Sequence, residues 1–222
     1  MPISKEEYAI REKRMMEKAF ELFVQKSIEA VSMQDIAKAA DVGVASVFRH
    51  YQNKANLVAA VSGYKWGQYL KDIEENRPLE KIKKIPAIDR LTFTLDRYID
   101  LYKNHRDLLR FNDNFNHYIT KEGARSGIEL DNYFTAVNPI RERFHLIYEK
   151  AQEDKTVRTD VDEDKLLRLT VHTMMSACHH YAGGFIWGAR DEEDPDYTED
   201  LLLLKKMILE YATGNSTERS KL

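Results

Sequence analysis

One cysteine in 222 residues, Cys178, leaves no partner for an intramolecular disulfide and excludes a multi-cysteine zinc module. A reducing compartment, the cytoplasm, is the expected setting. Glycine (9) and proline (5) are scarce, which disfavours a turn-rich β architecture and favours long helices. The N-terminal stretch MPISKEEYAIREKRMM carries charges where a secretory leader needs an apolar core. Excess positive charge is missing too. The net charge is −3, and residues 1–60 hold nine Lys or Arg against eight Asp or Glu, so any basic footprint for nucleic acid must come from placement. No glycine-rich phosphate loop, nucleophile elbow or metal-ligand spacing is present, so neither an enzyme, a cofactor nor a bound metal is indicated.

One stretch lacks charge altogether, LTVHTMMSACHHYAGGFIWGA, from Leu169 to Ala189. About 20 apolar residues cross a bilayer, but His172, His179, His180, two threonines and a serine make this stretch too polar for that. A helix without charge on any face is expected to be buried on all sides, in a core or between subunits. Cys178, His179 and His180 are successive, and on a helix they point about 100° apart, so they cannot converge on one metal ion. Nor do Cys178 and His179 face each other as a catalytic pair.

What is present is helical periodicity, and the fold class is all-α. Met16, Ala19, Phe20 and Phe23 recur at i, i+3, i+4 and i+7, which places a first helix from Lys5 to about Gln25. Ser32 with Asp35 has the capping-box spacing and opens a second helix, Met33 to about Ala40. Asp41 to Gly43 allows a turn before a third, Val44 to Tyr51, and Asn53 caps a fourth that starts at Lys54. Helices of two turns are marginal alone. The short pair offers Ile36, Ala37, Val47 and Phe48 to Phe20 and Phe23 of the first helix, enough for a small core around a helix-turn-helix. Beyond it the pattern predicts helices near 54–75, 86–104, 106–121, 128–154, 163–188 and 197–213, separated most clearly by ENRPLEKIKKIP and DEEDPD.

The segment from Arg11 to Val58 resembles the DNA-binding region of TetR-family transcriptional regulators, matching at AFELF, DIAKAA, FRHY and NKANL. The resemblance covers residues 9–60 and implies a DNA-binding domain (1–53) followed by a larger helical domain (54–222) that binds a small molecule and forms a homodimer, with repression relieved by ligand. In such a fold the third helix enters the major groove of a double-stranded operator, and Val44, Ala45 and Ser46 meet base edges. Gln34 is placed for a bidentate adenine contact, and Ser32, His50, Tyr51 and Lys54 for phosphates, with Arg49 as a supplement. Many members have Gly at Asp41, Ser or Thr at Gly43, Lys at Val44 and Tyr at Phe48, so DNA binding with a shallow salt dependence is expected. A module of the same fold that has lost DNA binding is the alternative reading.

For the effector, Tyr98, Tyr102, Phe111, Phe115, Phe144, Met174 and Cys178 make an apolar, aromatic set with Asn112 and His117 as polar anchors, suited to an uncharged ligand. Stripes of this kind also build ordinary cores. The uncharged helix and EDLLLLKKMILEYA are the candidates for a two-fold interface, which would space the recognition helices about 34 Å apart, or a multiple of that, on a near-palindromic site. No membrane partner is expected.

Overall fold

The computed structural model describes residues 4–76, 84–122, 127–184 and 195–214, and these contain no strand. The helices are α1 (Lys5–Lys26), α2 (Met33–Ala39), α3 (Val44–Tyr51), α4 (Lys54–Asn76), α5 (Ala87–Asn104), α6 (Arg106–Glu122), α7 (Asp131–Asp154), α8 (Glu163–Leu167), a π-helical turn (Arg168–His172), α9 (Thr173–Gly183) and α10 (Thr198–Ala212). They divide into two compact units, Met1–Asp72 with Arg110–Asn138, and Ile73–Leu109 with Pro139–Leu222.

In the first unit, α1 starts where Ser4 Oγ accepts the Glu7 N–H at 3.1 Å. It buries Met15, Met16, Ala19 and Phe23 against Met33, Ile36 and Ala37 of α2 and Val47 and Tyr51 of α3. Phe48 does not join this core, contrary to its sequence assignment. On α3, Val47 and Tyr51 are one turn apart and take the inward face, so Phe48 is turned outward and is 39% exposed. The boundary expected after Asn53 also falls inside this unit, because α4 packs there along most of its length. Trp66 Nε1 donates to Asn112 Oδ1 at 2.8 Å in the interior. Phe20 meets Phe111 edge-on at 5.3 Å, and Phe115 lies 4.8 Å from Tyr133. The start of α7 runs close over Gly63, where a Cβ would stand 3.1 Å from the Asn132 carbonyl oxygen.

In the second unit α5, α9 and α10 pack together, and Leu91, Leu95, Leu101, Phe144, Val171, Met174 and Leu201 are buried. The N-terminus of α5 begins at Pro86 and has no side-chain cap of its own. Its free N–H groups are met from the end of α7: Ala87 N donates to Asp154 Oδ2 at 2.9 Å and Ile88 N to Thr156 Oγ1 at 3.1 Å. Burial pushes the Asp154 pKa up, and N–H donation from Thr156 and Ala87 more than offsets that, leaving it below the ordinary carboxylate value. A lowered folded pKa means stabilisation that is complete above the unfolded value of about 3.9 and disappears as pH falls through the folded one. The melting-temperature gap between the wild type and Asp154→Asn is therefore expected to be widest near neutrality and to close on acidification below about pH 4. A gap that ignores pH would remove the carboxylate from this role.

The helix expected over 163–188 is divided. Thr170 Oγ1 donates to Leu166 O at 2.7 Å and Thr173 Oγ1 to Arg168 O at 3.0 Å, alongside the wider π-helical turn. The helix ends at Gly184, whose φ of 76° is left-handed, and residues 185–188 lie outside the described set. Burial on all sides is not observed in the single chain. Met174, Cys178 and Ala182 point inward, while Leu169, His172, Thr173, Ser176 and His180 are exposed. No helix among the described residues is long and apolar enough to cross a membrane.

Candidate nucleic-acid interface

The helix-turn-helix is built from local hydrogen bonds. Ser32 Oγ accepts the Asp35 N–H at 3.1 Å, and Asp35 Oδ2 in return accepts both the Ser32 N–H (2.9 Å) and its hydroxyl (2.6 Å). These bonds hold the Asp35 carboxyl below its usual pKa. Ser32 is therefore a helix cap with its proton already donated, and a phosphate could use it only by opening the box. After α2 the chain turns at Asp41, whose φ of 52° is left-handed, and Arg14 Nη2 donates to the Asp41 carbonyl at 3.1 Å. The glycine that relatives carry here has a physical reason, since an L-residue in this region costs roughly 1 kcal/mol, less for Asp than for most. Asp41→Gly is expected to be neutral or to raise the melting temperature slightly. It also removes a fully exposed carboxylate from the turn, so nucleic-acid affinity measured in parallel should rise.

α3 begins at Gly43 with no side-chain cap. Gln34, Val44, Ala45, Ser46 and Arg49 are all exposed, as a reading surface requires. Val44 and Phe48, one turn apart, are 41% and 39% exposed and form an apolar ridge able to meet thymine methyls. Tyr51 does not fit the phosphate role assigned from sequence. It is buried with its hydroxyl enclosed and unpartnered, and that burial drives its pKa upward. His50 is exposed but turned toward α1, with Nδ1 3.3 Å from Tyr8 Oη and Nε2 3.8 Å from Glu12 Oε1. Lys54 donates to the Glu29 carbonyl at 3.0 Å and sits 5.6 Å from the Tyr118 ring centre, and burial lowers its pKa. Two of its three N–H groups are left for a phosphate. Sequence reasoning missed Tyr8, Arg11 and Arg14 of α1, although Tyr8, Arg11, Glu12 and Met15 fall on one helical stripe.

The effector set is split between the two units. Tyr98, Tyr102, Phe144, Met174 and Cys178 are buried in the second, where Cys178 Sγ lies 3.4 Å from the Tyr98 carbonyl oxygen and burial pushes its thiol pKa up to about 12. The Tyr102 hydroxyl is engaged by Pro195 O at 3.3 Å and by Tyr197 N at 3.0 Å. Phe111, Asn112 and Phe115 belong to the first unit and are buried there, with Asn112 bonded to Trp66. His117 is exposed, its Nδ1 2.9 Å from the Asp113 carbonyl one turn back, so it anchors nothing inside.

Residues 15–61 match the family model of bacterial regulatory proteins of the tetR family. Through this segment the chain belongs to the tetR family. An HTH-type transcriptional regulator of Staphylococcus aureus is 31% identical to this tetR-family chain over 86 residues, 39% of the chain and 44% of that relative. The chain thus aligns with less than half the length of the curated relative it matches. The fold is similar to a tetR-family regulatory protein from Rhodococcus RHA1, with a TM-score of 0.61 at 16% identity over 91% of this chain and 96% of that one. It is also similar to FadR of Bacillus subtilis in complex with stearoyl-CoA (TM-score 0.56, 15% identity, 91% and 97% covered). A ketosteroid transcriptional regulator of Mycobacterium tuberculosis gives 0.56 at 14% identity, with 91% and 95% covered.

Proposed function

We propose that this tetR-family protein is a ligand-responsive DNA-binding transcription regulator, a repressor that grips a near-palindromic operator as a dimer in the cytoplasm. The observation that carries the reading is the capped α2 and α3 pair, which leaves Gln34, Val44, Ala45, Ser46 and Arg49 facing solvent while Val47 and Tyr51 hold the helix from behind. Supporting the dimer, α10 exposes Leu202, Leu203 and Met207, and the outward side of α9 carries no charged Asp, Glu, Lys or Arg. For the effector, an apolar or aromatic small molecule suits Tyr98, Tyr102, Phe144, Met174 and Cys178. The relative bound to stearoyl-CoA shows that this fold accepts a ligand with a long apolar body.

The test is electrophoretic mobility shift with DNA upstream of the chain's own gene, or with sequences selected from random DNA, at two salt concentrations. Saturable binding that survives unrelated competitor is expected. With Ser32 and Tyr51 withdrawn from the phosphates, Arg49 and Lys54 of each protomer leave a log–log salt slope of about −4. Gln34→Ala is expected to lose about 1–3 kcal/mol and to relax preference at one base position. The carboxylates of Asp35 and Asp41 beside the reading helix favour a second reading, a small-molecule module that no longer binds DNA. Absence of any shift at low salt, with a selected sequence, would decide for it.

A further inference from the structure

A cleft of ≈ 340 Å³ lies between α1 and α3 in the first unit, a size within the range of small-molecule sites. Its floor is apolar, with Met15 and Val47 both buried. Its wall is aromatic: the rings of Tyr8 and His50 stand edge to face at 6.4 Å, joined by the 3.3 Å contact between Tyr8 Oη and His50 Nδ1. Arg11, Glu12 and Arg49 carry the charges along it. Arg11 is paired with Glu7 at 3.1 Å, and Glu12 faces His50 Nε2. Arg49 has no ion pair or hydrogen bond among the described residues. Beside them Tyr51 lines the same cleft with a buried, unpartnered hydroxyl. Two guanidinium groups against one carboxylate leave the lining one positive charge in excess.

We propose that this cleft binds a small planar aromatic monocarboxylate, with its ring over Met15 and Val47 and its carboxylate on Arg49. The fork of an arginine matches a carboxylate, and Arg49 has that fork open. A monoanion cancels the excess charge, a dianion would meet Glu12, and a cation would meet the arginines. The occupant would cover Ser46 and Arg49, so it would compete with DNA. That consequence rests on the reading of α3 given above, whereas binding itself does not.

Isothermal titration of the full chain with cinnamate, and with cinnamyl alcohol as the uncharged counterpart, tests the site without DNA. Cinnamate is expected to bind with a Kd on the order of 1 mM or tighter for a ligand of this size. Arg49→Gln should weaken cinnamate by about tenfold while leaving the weaker alcohol unchanged. Ser46→Trp, which fills the cleft, should abolish both, with circular dichroism confirming that each variant folds. No binding of cinnamate, or cinnamate binding that Arg49→Gln leaves intact, would overturn the proposal. Should Ser46→Trp fail to fold, the Arg49→Gln comparison still decides.

Discussion

Trp66→Ala is expected to destabilise the first unit by about 3–5 kcal/mol, enough to unfold most domains of this size at physiological temperature. Trp66 is 1% exposed and is among the largest side chains fully enclosed in the protein. Its removal leaves a cavity that the surrounding helices cannot close, because α1, α4 and α6 each have further buried residues holding them in place. The indole N–H is also the donor to Asn112 Oδ1 at 2.8 Å. Trp66→Phe separates the two effects. It keeps much of the apolar area but takes away the donor, so about 1–3 kcal/mol should be lost through Asn112 alone. Urea titration followed by circular dichroism measures both. With two compact units the transition need not be two-state, and the loss should appear in one phase and spare the other. A cost for Trp66→Ala below that of Trp66→Phe would show that the helices can collapse around the gap.

Leu203→Glu is expected to convert a dimer into monomers. Leu203 and Met207 are each 59% exposed and one turn apart on α10, whose opposite face buries Leu201, Ile208 and Ala212. The substitution therefore places a charge on the exposed face without touching the monomer's core. Two charges, one from each protomer, would be brought together across a two-fold axis and stripped of water. Sedimentation velocity should show the smaller species with an unchanged helical spectrum. Because each protomer then binds a half-site alone, operator affinity should fall by about 100-fold or more. Leu203→Ala, which removes area but adds no charge, should shift the equilibrium far less. A Leu203→Glu protein that still sediments as a dimer would place the interface on another face.

The helix ends were legible in the sequence wherever a local signal marks them. Ser32 and Asp35 are three residues apart, and Asn53 Oδ1 caps the Asn56 N–H at 2.9 Å, so both starts could be read from neighbours alone. The cap that Asp154 provides for α5 could not, since its partner lies 67 residues away and no periodicity links the two. Side-chain direction on α3 was only half legible. Eight residues give barely two turns, so a polar Tyr51 and an apolar Phe48 suggested the reverse of the faces they occupy. The effector set failed for a tertiary reason, because its aromatic residues satisfy a core pattern equally well in either unit, and only the packing shows that Phe111 and Phe115 sit apart from Tyr98 and Cys178.

The π-helical turn at Arg168–His172 makes the length of this region a rotational setting. An α-helix advances about 100° per residue, and a π turn absorbs one residue more than an α turn over the same rise. A lineage that lost one residue here would keep an unbroken helix and still fold locally. Everything after it, from Thr173 to Gly183, would then be turned by about 100°, taking Met174 and Cys178 away from the interior and presenting a different face to any partner subunit. Among homologues, single-residue gaps at this point should therefore travel with changes in which helical positions are apolar downstream, and pairing between chains that differ by such a gap should fail.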